Sequence, residues 1–166
     1  MSPEPRHVPE IAGPTHARSP FNFSAGMRVG FSDTDAQGIV YYGRYAPYFD
    51  IARVEYWRHL GLAQHEQLET KPNGSPPGGE LVMRAFNIEY NAPAVFDDVL
   101  EVFCRIAKVG RTSLTFEFDV VLADGSDKHL ASATQIMVNV DLAERRPVPV
   151  SDSIRDRIAT FEQPAS

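Results

Sequence analysis

Apolar and polar residues keep three different rhythms along this chain. Over residues 1–22 there is little apolar periodicity, and Pro3, Pro5, Pro9, Pro14 and Pro20 interrupt what there is, so the reading is a flexible or draped, Pro-rich extension. From Met27 to Phe31 apolar residues alternate with Arg28 and Gly30, the pattern of a short half-buried strand. Then the spacing turns helical. Tyr45, Phe49, Ala52, Tyr56 and Leu60 fall on one face, and Ile51, Val54 and Trp57 widen it, which predicts a largely buried helix. Pro47 suits its first turn, Arg58 and His59 its last, and Gly61 is placed to end it.

Lys71–Gly79, KPNGSPPGG, is a loop by composition. Beyond it the period is two. Phe86, Ile88 and Tyr90 make one apolar face, and Leu100, Val102, Cys104 and Ile106 a second. Leu114, Phe116, Phe118, Val120 and Leu122 follow, and then Ile136, Val138 and Val140. Turns at Val109–Arg111 and Ala123–Gly125 are too short for anything but antiparallel neighbours. Ser151 or Asp152 caps a last short helix carrying Ile154, Ile158 and Phe161. The expected fold is α+β: about five antiparallel strands curled around one long helix, in a single domain over residues 23–162.

Composition narrows the function. At 166 residues, 43% hydrophobic and 23% charged, the chain reads as an ordinary globular domain. A net charge of −6 argues against general nucleic-acid binding. The single cysteine, Cys104, fits a reducing compartment, and no apolar run is long enough to span a bilayer. The first twenty residues lack the hydrophobic segment of a secretory signal, so the cytoplasm is the expected location. His7, His16, His59, His65 and His129 have no metal-ligand spacing, and there is neither a phosphate-binding nor a dinucleotide glycine motif. Neither a metal nor a cofactor is expected.

The chemistry concentrates in FSDTDAQGIVYYGRY, residues 31–45. Asp33 and Asp35 stand beside a turn glycine, Gly38, directly before the aromatic-rich helix. A carboxylate is thereby brought close to the unpaired N–H groups of a helix start, which can bind a developing oxyanion. The bland alternative is that both aspartates cap the turn, as Asp often does before a helix.

The order of strand, D-T-D-A-Q-G-I-V-Y-Y-G-R-Y, buried helix and four long strands resembles the hotdog-fold acyl-CoA thioesterases. The likeness is to the 4-hydroxybenzoyl-CoA thioesterase group and its Tol–Pal-associated relatives. YNAPAVFDDVLEV at Tyr90–Val102, VGRTSLTFEF at Val109–Phe118 and ATQIMVNVD at Ala133–Asp141 extend it across most of the chain. The resemblance implies a hotdog subunit that forms a homodimer or homotetramer and hydrolyses an acyl- or aroyl-CoA thioester bound between subunits. It implies Asp35 as nucleophile or general base, and the backbone amide of Tyr42 or neighbouring Gly43 as oxyanion donor. Asp33 and Gly38 then shape the loop, while Tyr45, Arg111, Thr112 and Ser113 become candidate substrate contacts. Tol–Pal-associated relatives commonly carry His where this chain has Tyr42, which leaves Asp35 as the principal catalytic side chain. Another hotdog branch uses a helix carboxylate, but Asp50 and Glu55 are expected to be solvated or ion-paired.

Two other functions stay open on the sequence. One is a hotdog dehydratase of 3-hydroxyacyl thioesters, although that chemistry pairs His with a carboxylate and no His lies in the Asp35 loop. The other is a non-catalytic acyl-thioester-binding subunit in which Asp35 only caps. The acyl group is not legible, and acyl carrier protein is an alternative to CoA.

Overall fold

The computed structural model describes residues 12–62 and 79–163. Seven strands form one antiparallel sheet: β1 (Ala12–Arg18), β2 (Phe21–Arg28), β3 (Glu80–Tyr90), β4 (Val99–Val109), β5 (Ser113–Leu122), β6 (His129–Asp141) and β7 (Arg146–Pro147). Their spatial order is β1-β2-β4-β5-β6-β3, with β7 pairing the end of β6. The long helix α1 (Tyr45–His59) follows β2, and a C-terminal helix α2 (Asp152–Glu162) closes the chain. β3 therefore sits at the far edge from β1 and β2.

Alternation decides which face is core. Leu100, Val102, Cys104 and Ile106 of β4 and Leu114, Phe116, Phe118 and Val120 of β5 are buried in one cluster with Tyr45, Phe49, Ala52 and Tyr56 of α1. Phe49 meets Phe118 at 4.8 Å between ring centroids, and Tyr56 meets Phe23 edge-on at 5.6 Å. Ser151 caps α2 by accepting from the Ile154 N–H at 3.3 Å. At its other end Glu162 turns inward, where one carboxylate oxygen accepts from the Tyr56 hydroxyl at 2.5 Å and the Ile106 N–H at 3.0 Å. Burial pushes the Glu162 carboxyl above its usual range, although both hydrogen bonds and Arg105 oppose the rise.

The structure differs from the sequence reading in four places. Ala12–Arg18 is a strand paired with β2, where a flexible extension over 1–22 was expected. An edge position explains how it tolerates Pro14, and an Arg18–Asp119 ion pair at 2.6 Å ties it to β5. The strand expected from Met27 instead runs from Phe21 to Arg28, because the alternation of Phe21, Phe23, Ala25 and Met27 with Asn22, Ser24 and Gly26 begins upstream and both β1 and β4 pair with it. β1 and β7 bring the strands to seven rather than about five. Finally, Ile51 and Val54 are 47% and 44% exposed, so α1 buries a narrower stripe than its apolar residues allow. The loop expected at Lys71–Gly79 lies outside the described residues, apart from Gly79. Among the described residues no helix is long and apolar enough to cross a membrane.

Candidate active site

Beyond β2 the chain is clipped to the segment before β4. Val29 N–H donates to the Asp98 carbonyl at 2.8 Å, and Arg28 pairs with Asp97 at 3.0 Å. A 3-10 turn at Phe31–Asp33 follows, and the Asp33 side chain becomes the hub of the loop. Its Oδ2 accepts from the Gly30 N–H at 2.9 Å and the Tyr48 hydroxyl at 2.8 Å, and its Oδ1 accepts from Arg44 Nε at 2.6 Å. Partial burial works against the charge, but these three hydrogen bonds and the Arg44 charge outweigh it and hold the carboxyl below its usual range. Burial, followed by the bond to Asp33, pushes the Tyr48 phenol well up.

The Asp35 loop is a small hairpin. Asp35 N–H donates to the Ile39 carbonyl at 3.0 Å, and its carbonyl accepts from Gly38 N–H at 2.9 Å. Gly38 has φ +77°, a left-handed conformation that side chains with a Cβ adopt at a cost. Isolated bridges pair Thr34 with Val40 and Ile39 with Val95, so the hairpin is backed by the segment before β4. Asp35 is half-buried. Its Oδ1 accepts from Gln37 N–H at 2.8 Å, and its Oδ2 has no hydrogen bond among the described residues. One oxygen shapes the turn; the other is available.

A 3-10 turn at Tyr42–Arg44 runs straight into α1. Arg44 N–H closes that turn onto the Tyr41 carbonyl at 2.8 Å. The N–H groups of Tyr42 and Gly43, ahead of that bond, have no acceptor among the described residues, as the first donors of a helix do not. They lie at the positive end of the helix dipole. The main chain of Asp33 reaches the same place, its carbonyl accepting from Tyr41 N–H at 2.9 Å. A Cβ on Gly43 would come within 2.7 Å of the exposed Tyr41 ring, which packs against the glycine and would have to shift to admit one. Asp35 and the two amides therefore belong to one braced loop-to-helix unit.

The other candidate contacts fall elsewhere. Tyr45 is buried among Tyr48, Phe49 and Tyr90, behind the helix start rather than beside open solvent. Arg111, Thr112 and Ser113 form the β4–β5 turn, where the Arg111 carbonyl accepts from Val150 N–H at 3.0 Å and the Thr112 carbonyl from Asn139 N–H at 2.7 Å. That turn stands at the opposite end of β4 from the Asp35 loop. The 11 residues of β4 separate the two by roughly 30 Å. Within one chain the fold does not bring them together. Asp50 and Glu55 pair with Arg53 and Arg58 one turn on, the ion-paired role expected of them. Sequence reasoning placed Tyr48 in an aromatic cluster beside the motif but missed its bond to Asp33, and it missed Arg44 and Tyr90, whose hydroxyl donates to the Tyr42 carbonyl at 2.8 Å. Among the described residues no group of three or more His, Cys, Asp or Glu could hold a metal ion.

Residues 29–158, which span the Asp35 loop and the helix start, match the model of the thioesterase-like superfamily. The chain belongs to that superfamily. Within it, the chain is 33% identical over 137 residues to the acyl-CoA thioester hydrolase YbgC of Escherichia coli O6:H1, covering 82% of this chain and 93% of that protein. Acyl-CoA thioester hydrolases are thus homologous to this superfamily member over most of its length. A thioesterase-superfamily structure from Jannaschia sp. CCS1 superposes with a TM-score of 0.74 at 19% identity, over 87% of this chain and 86% of that one. A 1,4-dihydroxy-2-naphthoyl-CoA thioesterase from Synechocystis gives 0.72 at 23% identity, over 86% and 98%. These two likenesses bear on the fold alone, and it is the hotdog fold that the motif implied.

Proposed function

We propose that this protein is an acyl-CoA thioester hydrolase in which Asp35 drives the attack and the helix-start amides polarise the thioester carbonyl. The observation that carries the reading is the pairing, in one braced unit, of a carboxylate oxygen and two backbone N–H groups that have no hydrogen-bond partner among the described residues. Asp35 acts in one of two ways. As general base it takes a proton from water while the hydroxide oxygen bonds to the carbonyl carbon. As nucleophile it bonds to that carbon itself, giving a mixed anhydride that water then cleaves. Either way the carbonyl oxygen gains negative charge, which Tyr42 and Gly43 N–H receive, and the C–S bond breaks to release the CoA thiolate. Homology to the acyl-CoA thioester hydrolases over most of the chain supports the reaction class.

The site is proposed to be completed by a second copy. β3 is an edge strand, and its Val82, Met83, Phe86 and Tyr90, with Ile51 and Val54 of α1, expose apolar side chains that a monomer leaves wet. Pairing through that edge would also give the Arg111–Ser113 turn of one copy a route to the Asp35 loop of the other. A cytoplasmic location belongs to the same proposal.

One observation favours a second reading. The Asp35 Oδ1–Gln37 N–H bond is the turn-capping geometry of a purely structural aspartate, as a non-catalytic acyl-thioester-binding subunit would have. Thiol release from acetyl-, butyryl-, octanoyl-, palmitoyl- and benzoyl-CoA, followed with a thiol reagent, separates the two. Turnover of at least one thioester supports hydrolysis; binding of these thioesters without turnover supports the binding subunit.

A further inference from the structure

Tyr90 is the last residue of β3, and nothing in the motif points to it. Its hydroxyl donates to the Tyr42 carbonyl at 2.8 Å, and its ring stands edge-on to Tyr45 at 5.3 Å. The Tyr42 carbonyl and the Gly43 N–H are the two ends of one peptide unit. That unit is trans, since the only cis bond among the described residues is Ser19–Pro20. In a planar trans peptide the C=O and N–H bonds point in opposite directions, so whatever holds the carbonyl also aims the N–H.

The hold matters at this position because the residue is glycine. The Tyr41 ring lies where a Cβ on Gly43 would be, and a residue without a Cβ gives its peptide more freedom to rock. An oxyanion donor is effective only when it is aimed before the reaction starts. A hydroxyl donating to the carbonyl also polarises the peptide unit and strengthens its N–H as a donor.

We propose that Tyr90 is a positioning residue for thioester hydrolysis, aiming and polarising the Gly43 N–H through the Tyr42 carbonyl; this rests on the oxyanion role proposed above. The Tyr90 hydroxyl is committed to that carbonyl and does not touch the reacting atoms. Tyr90 also ties the exposed β3 edge to the helix start, so a disturbance of that edge reaches the catalytic amide.

Tyr90→Phe removes the hydroxyl and keeps the ring. Wild type, Y90F and Asp35→Asn are compared on the acetyl-, butyryl-, octanoyl-, palmitoyl- and benzoyl-CoA panel, with melting temperature and light-scattering mass recorded for each. The expected result for Y90F is a kcat about tenfold lower, short of the hundredfold or more for deleting an oxyanion donor, with KM within about twofold. Melting temperature and mass should match wild type. In the D35N background, the infrared carbonyl stretch of the bound thioester should shift less from its free value when Y90F is added. Wild-type kcat in Y90F, a loss appearing wholly in KM, or an unfolded or dissociated Y90F would each overturn the positioning role. These outcomes are distinct from failure of the underlying function, which would appear as a wild type inactive on the whole panel or a D35N variant as active as wild type.

Discussion

Arg44 and Asp33, eleven residues apart, form an ion pair at 2.6 Å that joins the end of the Asp35 loop to the start of α1. With Tyr48 and Gly30 on its other oxygen, the Asp33 carboxylate is a brace rather than a reactant: both its oxygens are committed. Asp35, two residues on, has one oxygen without a hydrogen bond among the described residues. That difference in partners separates the two aspartates more sharply than their spacing does.

The brace predicts an acid limb of stability. Asp33 has a depressed carboxyl in the folded state, so its contribution is present above the ordinary aspartate value of about 4 and is lost as pH falls through the folded value. Thermal unfolding between pH 7 and pH 3 should show Asp33→Asn melting below wild type at neutral pH and converging with it in acid. A constant gap across that range would show that the charge plays no part.

Glu162 carries the opposite sign. Its folded carboxyl is raised by burial, so ionising it opposes folding, and that contribution weakens stability as pH rises from the ordinary glutamate value through the folded one. Glu162→Gln keeps an acceptor for Tyr56 and the Ile106 N–H. Its melting temperature relative to wild type should therefore improve as pH rises above the ordinary glutamate value and level off beyond the folded one. A relative loss over that interval would contradict the assignment.

Removing residues 2–20 deletes β1 and the Arg18–Asp119 pair but leaves the core of α1, β4, β5 and β6 intact. The truncated chain should unfold cooperatively at a lower temperature than the full chain. An unchanged melting temperature would show that β1 contributes nothing; a lost transition would make it part of the folding core.

The exposed β3 face predicts self-association. Light scattering at micromolar protein should give at least twice the 18.5 kDa chain mass. Met83→Glu, placing a charge on that face, should lower the mass toward one chain and cut hydrolysis with it. A fully active monomer would remove the proposed shared site.

Periodicity made the core legible. Tyr45, Phe49, Ala52 and Tyr56 bury as their spacing requires, and β4 and β5 follow the predicted alternation almost residue for residue. It failed where the partner is remote. β2 begins at Phe21, inside the stretch read as an extension, and β1 exists because β2 offers an edge to pair with. Ile51 and Val54 read as core, yet they are left 47% and 44% exposed, and no described element covers them. In the site, Asp33, Asp35 and Gly38 stood out because turn chemistry is local. The Tyr48–Asp33 and Tyr90–Tyr42 hydrogen bonds span 15 and 48 residues, and no local pattern announces them.

The most direct measurement is hydrolysis by Asp35→Asn. Asn has the size of Asp and keeps an acceptor for the Gln37 N–H, so the substitution removes charge while sparing the turn. At equal folded concentration, and on whichever thioester wild type cleaves fastest, the variant should lose at least about a hundredfold in rate with fold and mass unchanged. Asp33→Asn should cost far less, and Tyr42→Phe should be mild because the donor there is backbone. A D35N variant turning over at near the wild-type rate would contradict the account and leave Asp50 and Glu55 as the next carboxylates to test.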